Sequence, residues 1–250
     1  MIVLKTAREL KLMRAAGRIS QRALRLAGEA VEPGVTTKEL DIIVRKYIEG
    51  QGATPSFLGY GGFPASACIS VNNVVIHGIP SEKQVLKQGD IVSIDVGAFY
   101  QGFHGDNAWT FPCGDISNEA QKLLKTTEEA LFCGIKAAAA GARIGDIGHA
   151  VQEYVELRSY SVVRDFVGHG VGAKLHEDPS VPNYGVPGRG ARLRPGMAIA
   201  IEPMVNMGSY EVKVLGDKWT TVTADGKLSA HFEHTIAITA EGPVILTLPD

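Results

Sequence analysis

The chain has 250 residues, of which 45% are hydrophobic and 21% are charged, and its formal net charge is −2. These values are typical of a globular protein and exclude an intrinsically disordered chain, a collagen and a long coiled coil. Because the charge is so close to zero, a phosphate-binding surface is disfavoured, and we expect no specific nucleic-acid partner.

The predicted elements of the first half are two helices followed by strands. The capping-box sequences TARE at 6–9 and TTKE at 36–39 predict helices that run to about Ala30 and to Gly50. Alternating apolar residues then predict strands within ACISVNNVVIHG, IVSIDVGAFY and FHGDNAWTF.

The second half repeats this order of elements. Helices are predicted over residues 118–140 and 146–157, with bounds that are approximate. Strands follow within VVRDFVG, MAIAIEPMV, EVKVL, WTTVTA and SAHFEHTIAIT, and the Asp-Gly step at 225–226 predicts a hairpin between the last two. We expect the strands outside the helical crossovers to be antiparallel.

One sequence pattern occurs twice. LKQGDIVSID, which ends at Asp95, matches LRPGMAIAIE, which ends at Glu202, and the two acids are 107 residues apart. Chance is the alternative explanation, but further matches occur in the same register. We therefore predict one domain over 1–250 that consists of two related halves, about 1–110 and 111–250.

Four acids stand in unexpected positions. Asp95 and Glu202 lie inside strands that are otherwise apolar, and Glu233 lies within SAHFEHTIAIT. Asp106 returns close to Asp95 if residues 101–102 form a hairpin turn. A buried carboxylate needs a cation or a proton, because an unpaired buried charge is very costly. A buried salt bridge would explain one such acid, whereas acids at equivalent positions of a repeat favour a shared site.

A histidine between two glycines completes this set. Gly168 and Gly170 are expected to let the backbone bend so that the ring of His169 enters a site. A lone histidine of this kind is more often structural, but four carboxylates and one imidazole suit Mn, Fe, Co or Zn. The acids are too many for one catalytic zinc and suit a two-metal hydrolytic site.

The remaining histidines are less informative. His77 and His176 precede loop-forming residues, and a solvated loop position is the alternative for each. His231 and His234 flank Glu233, and the period of a strand places His231 on the same face as Glu233. We assign no role to His231 or His234 from the sequence.

Longer motifs connect these residues to a known family. The segments FLGYGGFPASACISVN, HGIP, DVGAFYQGFHGD, VGHGVGAKLHEDP, AIEPM and HFEHT contain the acids and histidines described above. They resemble the methionine aminopeptidases of type I, in the minimal bacterial form, and the resemblance covers essentially the whole chain. It implies the α/β (α+β) pita-bread fold, in which two pseudo-twofold-related halves form a central antiparallel sheet covered by helices.

The resemblance implies roles for the metal ligands. Asp95 would chelate one divalent cation, His169 and Glu202 would hold a second, and Asp106 and Glu233 would bridge the two. The cations would be Co, Mn, Fe or Zn, and a water that they activate would attack the first peptide bond. Glu202 would accept the proton of that water.

The resemblance also implies substrate contacts. His176 would contact the scissile carbonyl and His77 the leaving amine. The methionine side chain would occupy a pocket of aromatic residues and one cysteine, since a thioether packs well against aromatic rings. The implied pocket residues are Tyr60, Phe63, Cys68 and Trp219, with Phe57 and Leu175 beside them. The pocket departs from the family pattern at Phe57, Phe63 and Leu175, and plain hydrophobic core is the alternative for this group.

Further expectations concern ions, location and partners. Asn72, Val74 and Ser229 match positions that bind a monovalent cation in some relatives. The three cysteines do not suit a disulfide scaffold, and no signal peptide or membrane span is present, so we expect a cytoplasmic protein. Its partners would be the N-termini of nascent polypeptides at the ribosome, and we expect a monomer.

Two alternatives to this function remain open. The first is an Xaa-Pro-directed peptidase of the same fold, although such enzymes usually carry an extra N-terminal domain. The second is a pita-bread protein that has lost catalysis and acts as a binding module. Such proteins typically lose metal ligands, whereas all five are present here.

Overall fold

A computed structural model describes residues 1–249 of the chain. The helices of this part are α1 (Ala7–Glu29), α2 (Thr37–Gly50), α3 (Asn118–Ala137) and α4 (Ile144–Glu156). Both predicted capping boxes form: the Thr6 hydroxyl accepts from the Glu9 N–H, and the Glu9 carboxylate accepts from the Thr6 N–H. Thr36 and Glu39 cap α2 in the same way.

Most of the strands are short, and all of their pairings are antiparallel. Those of the first half are β1 (Thr54–Pro55), β2 (Cys68–Val71), β3 (Val74–Ile76), β4 (Ile91–Tyr100) and β5 (Phe103–Pro112). Those of the second half are β6 (Ser161–Val162), β7 (Gly168–Gly170), β8 (Glu177–Val181), β9 (Ala198–Ile201), β10 (Met204–Asn206), β11 (Val212–Val214), β12 (Thr221–Thr223), β13 (Ser229–His231), β14 (Glu233–Ile238) and β15 (Pro243–Ile245).

The main sheet brings acids from both halves together. Within the described residues its strand order is β1-β4-β5-β14-β9-β7-β8, so β5 and β14 lie at its centre. Ala108 of β5 is opposite Asp95 on one side and opposite Glu233 on the other. Asp106 lies two residues from Ala108 and therefore on the same face of β5. Three neighbouring strands thus place these acids at one level of the sheet.

Each half has its own hydrophobic core. One cluster of buried residues joins α1 and α2 to β2 and β4, and the other joins α3 and α4 to β9, β10 and β14. The helices pack in sequential pairs, α1 with α2 and α3 with α4. The acid-bearing strands lie where the two cores meet, so the structure of each half fixes part of one site.

Several details of the predicted strands were wrong. The segment MAIAIEPMV is divided, because β9 ends at Ile201 and β10 begins at Met204, and most of VVRDFVG lies between β6 and β7. The segment SAHFEHTIAIT is not one strand, because the chain leaves one sheet at Phe232 and enters another as β14. The predicted hairpin at 225–226 does not form either, since β12 pairs with β11 and β3 while β13 pairs with β10. Asp225 instead accepts hydrogen bonds from the N–H groups of Ser209 and Lys227, which makes a turn between two sheets.

Within residues 1–249, no helix is both long and apolar enough to cross a membrane.

Candidate metal centre and adjoining pocket

A single cavity of about 200 Å³ contains most of the predicted site. Acids and histidines line one part of it, and aromatic and aliphatic side chains line the rest. The predicted residues along its wall are Asp95, Asp106, His169, Glu202, Glu233, His77, His176, Tyr60, Phe63, Cys68 and Trp219. Phe57 and Leu175 line it too, together with Phe166, Val167 and Ile76, which the sequence did not single out.

The acids and the imidazole are close enough to share an ion. One ligand atom from each of Asp106, His169 and Glu233 lies within 4.8 Å of the others. Nε2 of His169 lies 3.5 Å from Oε1 of Glu202 and 3.8 Å from Oδ2 of Asp106. Because Asp95 is in register with Glu233 across β5, it joins the same cluster.

The cluster lacks a protein cation. No Lys or Arg is among the residues that line the cavity in the described part of the chain. Oδ1 of Asp95, Oδ1 of Asp106 and Oε1 of Glu233 are buried without a hydrogen-bond partner there. Such atoms are costly unless a ligand satisfies them. An oxygen-rich set of donors with one imidazole fits a divalent metal. The chemistry of the donors and the unpartnered buried oxygens therefore both indicate a metal site.

Burial also changes the ionisation of the cluster. It raises the pKa of Asp106 to about 7 and raises the pKa values of Asp95, Glu202 and Glu233 well above their ordinary range. Repulsion from neighbouring carboxylates adds to this shift at the latter three. Burial lowers the pKa of His169 to about 3, so its ring is neutral and able to bind a metal.

Two glycines position His169 for a reason that differs from the expected one. Neither Gly168 nor Gly170 has a positive φ, and both lie in β7. A Cβ at Gly168 would lie 2.4 Å from the Ala200 carbonyl oxygen, and one at Gly170 would lie 2.2 Å from that of Asp178. The glycines therefore permit the close approach of β8 and β9, rather than a bend, and the ring reaches the cavity from a strand.

His77 approaches the cavity from a strained backbone position. Its φ is 57°, which is unusual for a residue other than glycine. Its ring packs edge-on against Phe166 and Trp219, with centroids 5.6 and 6.1 Å away. Burial, followed by the nearby His176, lowers the pKa of His77 to about 4.

His176 lies at the mouth of the cavity. Its Nδ1 is 2.7 Å from the Tyr60 hydroxyl, and its ring centroid is 4.2 Å from that of His169. The next residue, Glu177, forms an ion pair of 2.5 Å with Lys5, whose side chain is only 3% exposed. The N-terminal segment thus anchors the start of β8, directly after His176. Burial lowers the pKa of His176, which keeps the ring neutral.

The apolar part of the cavity forms a pocket beside the metal cluster. Phe57, Phe63, Cys68 and Leu175 are buried there in one hydrophobic cluster, against which Trp219 packs. The rings of Phe63 and Trp219 meet edge to face, 5.2 Å apart. Burial, with a contribution from Asp95, raises the pKa of the Cys68 thiol well above its ordinary value, so it serves as an apolar wall.

The residues predicted to bind a monovalent cation lie outside this cavity. The Asn72 carbonyl accepts a hydrogen bond from the Ser229 N–H at 2.9 Å, so these two residues are adjacent. Val74 is two residues further along, at the start of β3. Their role in binding a cation stays a prediction.

The sequence did not identify the role of His231. Its Nε2 lies 3.7 Å from Oε2 of Glu202, and the residue is 2% exposed. His234 faces the other way, with Nδ1 2.9 Å from the Thr247 hydroxyl. The prediction that strand alternation places His231 on the face of Glu233 assumed one continuous strand, whereas β13 ends at His231 and β14 begins at Glu233. The contact of His231 with Glu202 depends instead on the pairing of β10 with β13.

Removing divalent metal is expected to destabilise the protein, and more so at higher pH. Asp106 has a raised pKa, about 7 against an ordinary 3.8, so the metal-free fold binds more protons than the unfolded chain between these values. Its free energy of unfolding therefore falls as pH rises through this window. A bound divalent metal takes the place of these protons and neutralises the buried carboxylates. A site held at 100 times its Kd adds about 2.7 kcal/mol, which for this size is roughly 5–10 °C in Tm.

Thermal unfolding with and without EDTA, at pH 5.5 and 7.5, measures this effect. The EDTA-induced fall in Tm should be the larger at pH 7.5. An equal Tm with and without the chelator at both values would contradict metal binding by the cluster.

Comparisons with known proteins agree with this geometry. The profile of metallopeptidase family M24 matches residues 11–240. A methionine aminopeptidase of Clostridium perfringens is 60% identical over 248 residues, with 99% of each chain covered. The crystal structure of a methionine aminopeptidase from Thermotoga maritima superposes with a TM-score of 0.97 at 47% identity and covers 99% of each chain.

The Xaa-Pro peptidases, the alternative enzyme class, are represented by a more distant structure. The chain is 25% identical to an Xaa-Pro dipeptidase from Bacillus anthracis, with a TM-score of 0.80, and covers only 62% of that protein. The predicted pita-bread fold is confirmed by these likenesses. At 60% identity over its full length, the chain belongs to the methionine aminopeptidases of metallopeptidase family M24.

Proposed function

We propose that this chain is a metal-dependent aminopeptidase that removes the initiator methionine from polypeptides whose second residue is small. The observation that carries the proposal is one cavity in which an apolar, aromatic pocket adjoins a cluster of carboxylates and imidazoles. The pocket suits a thioether side chain, and the cluster suits hydrolysis.

We propose the following arrangement of metal ligands. Asp95 would hold one divalent cation, His169 and Glu202 would hold a second, and Asp106 and Glu233 would contribute to both. The buried, unpartnered oxygens of Asp95, Asp106 and Glu233 support this assignment. When bound, such cations polarise a carbonyl and lower the pKa of a water molecule. Co, Mn, Fe and Zn all suit these donors.

The protein side chains then move the protons. Water adds to the scissile carbonyl carbon, and Glu202 accepts the proton that this water loses. His176 donates to the carbonyl oxygen: if the Tyr60 hydroxyl donates to Nδ1, then Nε2 carries the hydrogen. The C–N bond then breaks. The leaving nitrogen, which lies near His77, takes the proton that Glu202 accepted, and the products are free methionine and a shortened polypeptide.

The positions of the rings support recognition of methionine. The rings of Phe63 and Trp219 meet edge to face at 73°, and Cys68 adds a polarisable wall next to Asp95, its partner in the sheet. Tyr60 is 45% exposed and lies at the entrance. A methionine residue whose side chain enters this pocket has its backbone carbonyl next to the carboxylates. The pocket that selects the residue therefore also positions the bond to be cleaved.

We further propose the surroundings in which the enzyme acts. It would work as a cytoplasmic monomer on nascent polypeptides at the ribosome, and Asn72, Val74 and Ser229 would bind one monovalent cation. Residues 1–250 would form one catalytic domain of two related halves. In support, α4 begins at Ile144, 107 residues after the first residue of α2, Thr37.

Peptide cleavage together with metal content tests the proposed function. The purified protein, loaded with Mn²⁺, should release methionine from Met-Ala-Ser and leave Ala-Pro-Ser and acetyl-Met-Ala-Ser intact, because the pocket and the free amino terminus are both required. Cleavage of Ala-Pro-Ser in preference would favour the Xaa-Pro peptidase. Protein that holds no divalent metal and cleaves neither peptide would favour a binding module.

A further inference from the structure

His231 lies beside Glu202 and has no part in the mechanism described above. Its ring is 2% exposed, and its Nε2 is 3.7 Å from Oε2 of Glu202. Nε2 is buried without a hydrogen-bond partner in the described residues. An unsatisfied buried polar atom costs about 1–3 kcal/mol, so an unpaired nitrogen aimed at a carboxylate requires an explanation.

The remaining contacts of Glu202 leave Oε2 to His231. Its Oε1 faces Nε2 of His169 at 3.5 Å, and its backbone carbonyl accepts from the Asn183 amide at 3.0 Å. The carboxylate therefore lies between two imidazoles, one on each oxygen. A shift of less than ~1 Å would bring Nε2 of His231 into the range of about 2.7–3.2 Å for a hydrogen bond.

The backbone fixes the position of the His231 ring. The Thr110 hydroxyl is 2.8 Å from the His231 carbonyl and 3.0 Å from its N–H, and it also contacts the Ser93 hydroxyl at 2.8 Å. In the pairing of β13 with β10, His231 is opposite Met204, two residues after Glu202. Glu202 itself lies in the two-residue link between β9 and β10, so the pairing of β13 with β10 brings the two side chains close together.

We propose that His231 is a positioning residue for Glu202, in which Nε2–H donates a hydrogen bond to Oε2 and fixes the carboxylate. The proposal rests on the proposed function of Glu202 as metal ligand and proton acceptor. A carboxylate that is held in one orientation needs no reordering when it binds metal or takes a proton. Removing groups that orient metal ligands typically costs about 10–100-fold in metal affinity or activity.

Two substitutions of His231 test this role by kinetics and by metal affinity. His231→Leu removes the donor, so kcat for Met-Ala-Ser should fall about 10–100-fold while KM stays within about twofold. The Mn²⁺ dissociation constant from calorimetry should rise by about tenfold or more. His231→Gln keeps an N–H donor and should restore both quantities to within about threefold of the parent.

His234→Leu is the matched control. His234 is also a buried histidine next to Glu233, but its ring faces Thr247 and Trp109. Its substitution should leave kcat and the Mn²⁺ dissociation constant unchanged, whatever its effect on Tm. This comparison separates a specific contact with Glu202 from a general loss of packing.

Two outcomes overturn the proposal. Parent-like kcat and Mn²⁺ affinity in His231→Leu would show that the ring only fills space. Impairment of His231→Gln as large as that of His231→Leu would show that the imidazole itself is required, as a metal ligand would be, and not merely an N–H donor. If His231→Leu does not fold by circular dichroism, His231→Met takes its place with the same outcomes. If the parent cleaves no peptide, the proposed function fails, whereas the Mn²⁺ affinities still test the hydrogen bond.

Discussion

Glu233→Ala is expected to remove most of the bound divalent metal and to lower kcat/KM by on the order of 1,000-fold. Glu233 is 2% exposed, and its Oε1 has no protein partner, so its carboxylate is available to a cation. In the proposed arrangement Glu233 would contribute to both cations, and metal catalysis supplies several kcal/mol of transition-state stabilisation, with about 1.4 kcal/mol for each factor of ten. Metal analysis after dialysis, together with cleavage of Met-Ala-Ser, measures both effects.

Two further variants make this result specific. Glu233→Gln keeps the volume and removes the charge, and it should resemble the alanine variant. Glu241→Ala removes an exposed glutamate from the turn at Thr239 and should behave like the parent. Full metal occupancy in Glu233→Ala would show that this acid does not bridge.

His176→Ala should lower kcat by about 100- to 1,000-fold, the usual effect of losing one donor to a developing oxyanion. Divalent metal should remain bound, because the close group of potential ligand atoms is formed by Asp106, His169 and Glu233 and not by His176. Steady-state kinetics and metal analysis of the same preparation separate the two effects. Unchanged turnover would remove His176 from the mechanism.

Tyr60→Phe provides the matched control for this substitution. It removes the hydroxyl that lies 2.7 Å from Nδ1 of His176 and leaves the ring of Tyr60 in place. The imidazole remains, so kcat should fall by no more than about tenfold, in keeping with the modest net value of one hydrogen bond. A Tyr60→Phe loss as large as that of His176→Ala would mean that the hydroxyl, rather than the imidazole, contacts the substrate.

Much of this architecture could be predicted from local sequence signals. The capping boxes at Thr6 and Thr36 act within one helical turn, and both helices begin where these signals place them. Asp95 and Glu202 stood out because a charged residue in an apolar strand conflicts with burial, and both line the cavity. Local chemistry alone was sufficient for these features.

Features that depend on distant pairing could not be predicted in the same way. The Asp-Gly step at 225–226 has the composition of a hairpin turn, but the strand after it pairs with β10 instead. Strand β8 was not predicted; it is an edge strand, where its Pro179 is tolerated. The contact between His231 and Glu202 likewise follows only from that long-range pairing.

The position of β14 has a consequence for synthesis of the chain. This strand lies in the middle of the main sheet, between β5 and β9, yet it begins only at Glu233. While a ribosome still holds the last residues, β5 and β9 each have an unpaired edge, and such edges invite aggregation. The strand that closes this gap also delivers Glu233. The step that joins β5 to β9 through β14 therefore also completes the proposed set of metal ligands. A chain that stops before Glu233 would lack both the central strand and this ligand.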